Sequence, residues 1–320
     1  MITVKRFNNN SADWDSFVPS ANNGTIFHTR RFLGYHPEDR FSDHSLEFYK
    51  KGKLISVLPA AEIKSEDKFQ LVSHPGASLG SFVVPEDLSF ADTLEIVAQL
   101  SEYAKANNFD SIRLTQPPTI YSRRLSHYID FVLQKNGYNY VKREISSVLF
   151  LEETIAENLS KFKTTHQRAV RKAEKSGIIV KQSNAYDEFY SILKKNLSIR
   201  HNTNPTHTLA ELLKLKELFT DKIHLFGAFQ GEKMVAGVVN FIANDNVVLA
   251  FYISHDEDYQ EARPINLLFY KIFEWAIEKQ FHVFDFGIFT VNEEPNMGLA
   301  RFKENFGASG QFRDTLELQL

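Results

Sequence analysis

The stretch Lys161–Lys175 concentrates charge of one sign: Lys161, Lys163, Arg168, Arg171, Lys172 and Lys175 stand against a single acid, Glu174. Arg168, Arg171, Lys172 and Lys175 lie three or four residues apart, so on a helix they share one side. Such a row suits either a solvated surface or a polyanion: a diphosphate, a tRNA backbone or an anionic acceptor, with Arg168 and Arg171 holding phosphate. A second stretch, Asn296–Gly307, is short and aromatic and ends in a glycine suited to a helix C-cap. There Phe302 and Phe306 form an i,i+4 pair that would anchor in a core and fix the direction of Lys303. A lysine so held beside a cleft can donate to a developing oxyanion. The alternative is an ordinary surface lysine.

Three further patterns offer chemistry that the surrounding residues withdraw. Gly76-Ala77-Ser78-Leu79-Gly80 matches the nucleophile elbow of serine hydrolases, which needs a buried strand before the serine and a helix after it. His74-Pro75 breaks the approach and an extended run ends at Pro85, so a glycine-rich turn lining a cleft is the better reading. Asp285-Phe286-Gly287 lacks the other kinase segments and reads as a strand end with a turn glycine. The eleven histidines show no metal spacing; His201 and His207 straddle Asn204-Pro205, where no regular helix continues. With no cysteine, disulfides, thiolate catalysis and cysteine-based metal sites are excluded.

The elements that must position these residues repeat. Leu46–Tyr49 and Leu54–Ala61 flank Gly52 as a hairpin, a helix follows near 91–107, and a strand begins near Phe109. A helix near 120–136 and a strand near 139–150 finish this half. In the second half, His224–Phe229 and Met234–Ile242 flank Gly231, Pro264 opens a helix, and a strand follows at Phe281. The hairpin glycines differ by 231 − 52 = 179 positions and the later strands by 281 − 109 = 172. The spacing predicts two copies of one α/β unit, over 1–150 and 151–320. Length and composition agree: 320 residues and 43% apolar residues are enough for two cores, and 28 phenylalanines predict aromatic-rich cores or a stacking cleft. A net charge of −3 does not suit a whole-surface nucleic-acid binder, and no DNA partner is expected. The apolar run Met234–Ile253 carries Asp245 near its centre, which argues for two strands joined by a turn rather than a membrane span. With no apolar leader in Met1–Asp15, the expectation is a cytoplasmic protein.

The run Ile26–Phe32, the segment Arg168–Gly177, Phe284–Gly287 and Gly298–Gly307 together resemble the FemAB-like branch of the acyltransferases, close in size to the compact FemX-type members. That resemblance implies an α/β fold of two GNAT-like (acyl-CoA N-acyltransferase-like) domains in tandem, each a mixed sheet flanked by helices. It implies acyl or aminoacyl transfer to an amine, for instance on a cell-wall or surface-glycan precursor, from aminoacyl-tRNA or acyl-CoA and with no tightly bound cofactor or metal. Lys303 matches the lysine that stabilises the transition state. Arg30, Arg31 and the turn from Gly76 to Gly80 would shape the acceptor side, and Tyr252 and Asp285, at strand ends, would reach the cleft. Two departures stand out. Gln116-Pro117 occupies the place of an Asp-Pro pair, and Gln260–Ile265 lacks the glycines of the GNAT pyrophosphate loop, so its backbone N–H cradle is compromised. A non-catalytic binding module on the same fold is the rival from another class.

Overall fold

The computed structural model describes residues 1–8, 11–65, 68–201 and 204–320. It divides into two compact units, one of residues 1–144 with 312–320 and the other of residues 145–311. The division differs from a single cut at 150/151 in two ways: the cut falls at 144/145, within the strand Asn139–Phe150, and the last nine residues join the first unit. The cause of the latter is local: Leu316 pairs with Leu114 in an antiparallel ladder and is fully buried in the first unit's core.

The first unit contains β1 (Ile2–Arg6), α1 (Ser11–Ser20), α2 (Arg30–Leu33), β2 (Ser42–Asp43), β3 (Leu46–Lys50), β4 (Lys53–Leu58), β5 (Ala60–Ser65), β6 (Lys68–Ser73), α3 (Phe90–Ala106), β7 (Ser111–Thr115), α4 (Tyr128–Lys135) and the start of β8 (Asn139–Phe150). The β3–β4 hairpin closes through Lys51 and Gly52, both left-handed at φ 50° and 79°, the twist that a two-residue hairpin turn requires. β1, β3 and β4 form a small sheet; β2, β5, β6, β7 and the final strand form a second, with β7 parallel to β6. α3 is capped by Ser89, whose side chain accepts from the Asp92 N–H, and it buries Ile96, Val97, Leu100 and Ala104 on that sheet. The helix expected near 120–136 is shorter: residues 119–121 form one 3-10 turn and α4 starts only at Tyr128. Between them Asn22 accepts from the Arg123 and Arg124 N–H groups, at 2.9 and 2.8 Å, and draws the chain out of helical geometry.

The second unit follows with α5 (Ile155–Lys161), α6 (Thr164–Lys175), β9 (Ile178–Ser183), α7 (Tyr186–His201), α8 (Leu209–Leu218), β10 (Ile223–Gln230), β11 (Lys233–Ile242), β12 (Val247–His255), α9 (Pro264–Glu278), β13 (Val283–Ile288), β14 (Thr290–Val291), β15 (Glu294–Pro295) and α10 (Met297–Glu304); β16 (Ser309–Gln319) begins here and ends in the first unit. Its strands run in the order β8-β13-β12-β11-β10-β9, antiparallel except that β13 runs parallel to β12. Each unit thus places a helix between two parallel strands, β6-α3-β7 and β12-α9-β13, after antiparallel hairpin strands. Many of the phenylalanines pack in the cores, although Phe90, Phe131, Phe150 and Phe312 are exposed. Phe269 on α9 lies 4.8 Å from Phe306 and 5.0 Å from Phe286 between ring centroids, and Phe273 lies 4.9 Å from Phe284. No helix among the described residues is long and apolar enough to cross a membrane.

Candidate active site

The site grows out of an interruption in the sheet of the second unit. β12 pairs with β13 only where Val247–Leu249 face Val283–Asp285; its last six residues, Ala250–His255, extend past that ladder. On its other edge β12 carries an extra residue, since Val239 faces Tyr252 while Asn240 faces Ala250, leaving Phe251 as a bulge. A bulge bends a strand and raises its twist, which turns β12 away from its parallel neighbour. β13 is irregular too, losing register between Asp285 and Ile288, with Gly287 in a left-handed conformation at φ 75°.

Beyond these strand ends lie two adjacent cavities. One, of about 240 Å³, is lined by His166 of α6, by Arg263–Asn266 where α9 begins, and by Arg301 and Asn305. The other, of about 480 Å³, is lined by Leu193, Asn196 and Leu197 of α7, by Ile253 and Ser254, and by Asn296 and Leu299. His255, Gln260, Ile265, Gly298 and Phe302 line both. Arg263, the residue before the helix, is left-handed at φ 58°, a conformation costly for a residue with a side chain, and Pro264 takes the first helical position. The first turn of α9 therefore faces the smaller cavity with the positive end of the helix dipole and a guanidinium beside it. His166 and Asn266 tie α6 to α9, with the Asn266 Nδ2 donating to the His166 Nδ1 over 2.8 Å. Burial, with the charges of Arg263 and Lys163, holds the His166 imidazole below its ordinary pKa.

The basic row on α6 is arranged as its spacing requires. Arg168, Arg171, Lys172, Lys175 and Ser176 line one concavity of about 350 Å³. All four cations are exposed, and none forms an ion pair among the described residues. Exposed cations clustered in one groove create a positive local potential.

Lys303 is not in solvent. It is 2% exposed, and its Nζ donates to the carbonyls of Gly287 at 2.7 Å and Ile288 at 2.8 Å. Phe302 and Phe306, 5.3 Å apart between centroids, hold its turn, and Phe306 is fully buried. Phe302 lines both cavities, whereas Lys303 points to the β13 end instead. Asp285 is fully buried and accepts from the Ser146 hydroxyl at 2.6 Å and the Gly287 N–H at 2.7 Å. The Tyr252 hydroxyl accepts from the His207 N–H at 3.0 Å and lies 2.9 Å from the His207 Nδ1; burial pushes its pKa up to about 12. Neither Asp285 nor Tyr252 lines the two cavities.

In the first unit the expected acceptor residues are drawn into structural roles. Arg30 pairs with Asp43, donates to the Ser45 hydroxyl at 2.8 Å and lies over the Phe7 and Trp14 rings. Burial pushes the Asp43 carboxyl up, but the Arg30 and Ser45 bonds outweigh it and hold it below the usual range. Arg31 is exposed. Gly76 packs so closely on His36 that a Cβ would sit 2.2 Å from its Nε2, and Gly80 packs likewise on Ser73. Gln116 is buried and donates to the Ser81 hydroxyl at 2.7 Å, so it lies beside the Gly80 end of that turn. The residues that sequence spacing did not single out are His255, Asn196, Arg263 and Asn266. His255 closes strand β12 while Arg263 and Asn266 open the following helix, a signal that emerges only once β12 and α9 are paired in space; Asn196 comes from within α7 and carries no such signal.

Comparison with known proteins agrees with this geometry. Residues 160–304 match the model of the GNAT acetyltransferase domain. FemX is similar over 99% of this chain and 97% of its own, with a TM-score of 0.76 and 13% identity. A tandem GNAT protein from the clavulanic acid biosynthesis pathway is similar over 100% and 98%, with a TM-score of 0.57 and 10% identity. L-PGS from Bacillus licheniformis is similar over 82% and 80%, with a TM-score of 0.53 and 13% identity. Among curated proteins none matches the chain by sequence. The chain therefore has the fold of FemX and the tandem GNAT proteins, and its match to the GNAT acetyltransferase domain is confined to residues 160–304.

Proposed function

We propose that this protein transfers an acyl or aminoacyl group to an amine. The observation that carries the proposal is the opening of β12 away from β13 above two adjacent cavities, one of which meets the N-terminus of α9. An extended donor arm needs strand edges whose peptide groups are not already paired, and the bulge at Phe251 supplies a bent one. A phosphate-bearing donor needs positive charge at its far end. Arg263 and the first turn of α9 offer it beside the cavity, and Arg168 and Arg171 offer it on α6. Acyl-CoA and aminoacyl-tRNA both carry phosphate at a distance from the reacting carbonyl, so both fit this chemistry. The missing glycines of the phosphate loop are offset, in this proposal, by the left-handed Arg263 that opens α9.

The acceptor in this proposal is an amine on a cell-wall or surface-glycan precursor, as the FemAB-like resemblance implies, and the reaction is placed in the cytoplasm. Lys303 acts by holding the Gly287–Ile288 carbonyls and hence the β13 side of the opening. Incubation with labelled acetyl-CoA, acyl-CoAs of longer chain and a set of charged tRNAs, each with amine acceptors, tests the function by mass spectrometry of the N-acyl product. Product from any donor supports the proposal and names that donor. Binding of donors with no product from any pair would leave a binding module on the same fold.

A further inference from the structure

Acyl transfer to an amine has a proton to dispose of. The nitrogen must present a lone pair to the carbonyl carbon and shed a proton once the new bond forms. The place of the Asp-Pro carboxylate holds Gln116, which cannot accept a proton at neutral pH. Asp285 is committed to Ser146 and Gly287. The larger cavity contributes leucines, isoleucines, Phe302, amides and Ser254. Among its described lining residues the larger cavity has one imidazole, that of His255, and His255 also lines the smaller cavity, where the phosphate end of a donor would enter.

We propose that His255 is the general base that takes the acceptor amine's proton, an assignment that rests on the acyl-transfer function above. The amine nitrogen bonds to the acyl carbonyl carbon and the C–S bond of a thioester, or the C–O bond of an ester, breaks. The amine proton passes to the His255 imidazole and from the imidazolium to the departing thiolate or alkoxide, so charge and protons balance. The strand end that carries the imidazole is held in place. His255 pairs with Ala236 in the β11–β12 ladder, and the Asn196 Nδ2 on α7 donates to the His255 carbonyl at 2.6 Å and the Ser254 hydroxyl at 2.9 Å. Asn196 is in this scheme a positioning residue.

The charged and titratable groups lining the same cavities come from three elements: His166 from α6, Arg263 at the start of α9 and Arg301 from α10. On α7, Lys195 is tied to Asp256, the residue after His255, which Lys233 also holds. None of these is a carboxylate free to compete for the proton, and the guanidinium groups cannot accept one.

The test uses the full chain and a donor–acceptor pair that the wild type turns over. His255→Gln and His255→Ala are expected to lower kcat by about 100-fold or more while KM stays within about threefold. The wild-type kcat/KM profile is expected to fall on the acid side, and both variants are expected to lose that limb. Added imidazole is expected to restore part of the rate in His255→Ala alone. A wild type active with some pair but with no acid limb overturns the assignment whether or not the variants fold. So do variants that keep the wild-type rate. A wild type that turns over no pair removes the acyl-transfer function itself, and the assignment with it.

Discussion

Lys303 and Asp285 grip the same residue from opposite sides: the Lys303 ammonium donates to the Gly287 carbonyl at 2.7 Å, and the Asp285 carboxylate accepts from the Gly287 N–H at 2.7 Å. Gly287 is left-handed at φ 75°, so two buried charged groups fix a turn that only glycine adopts at little cost. Lys303→Ala leaves the Gly287 and Ile288 carbonyls without that donor and should cost about 2–4 kcal/mol of stability. Asp285→Ala should cost a similar amount. Because both act on one peptide, the double variant should deviate from additivity by about 0.5 kcal/mol or more in urea unfolding. A Lys303→Ala variant as stable as wild type would show that the lysine is not structural.

The α6 cations should behave in the opposite way. Replacing Arg168 and Arg171 with Gln should leave stability within about 0.5 kcal/mol, since both are exposed and unpaired among the described residues. The affinity for a phosphate-rich ligand should fall, and so should its salt dependence, with the logarithmic salt slope reduced by roughly one for each phosphate no longer neutralised. Titration of coenzyme A and of tRNA at several salt concentrations measures both quantities.

Acid should destabilise the first unit through buried neutral histidines. The Thr25 N–H donates to the His28 Nδ1 at 3.1 Å, so that nitrogen carries no proton, and Nε2 donates to the Gly80 carbonyl at 3.0 Å. Burial drives the His28 pKa down to about 4, and burial does the same to His74. The unfolded chain binds these protons near the ordinary histidine value, so it gains more protons than the folded state as pH falls from about 6.5 to 4. Stability is therefore present above that window and lost through it, on the order of 3 kcal/mol for each histidine. Unfolding at pH 7 and pH 5 checks the slope, and His28→Gln should flatten it by about one proton's worth.

Tyr252→Phe separates a strand-end residue from a catalytic one. It removes the hydroxyl that bonds the His207 backbone N–H and meets its ring. The expected cost is about 1–2 kcal/mol of stability. With whichever donor proves active, kcat should remain within about twofold of wild type, because the hydroxyl faces His207 rather than the cavities.

The repeated units were legible in the chain alone, because hairpin glycines, helix starts and apolar periodicities are local properties that survive into the folded protein. Gly52 and Gly231 turn their hairpins, Ser89 caps α3, Pro264 opens α9, and the four α6 cations share a side as their spacing dictates. Long-range pairing supplied what no spacing encodes. Leu316 crosses to the first unit because a strand joins whichever edge buries its apolar face, and that edge lies 202 residues away at Leu114. The chain before α4 stays out of a helix where Asn22 binds the Arg123 and Arg124 backbone. Arg30, readable as a substrate ligand, is neutralised by Asp43, a partner that only folding brings near. His255 has no signature of its own in the sequence. It becomes the imidazole of the larger cavity only because the Phe251 bulge and the short β12–β13 ladder carry the end of β12 out over that cavity.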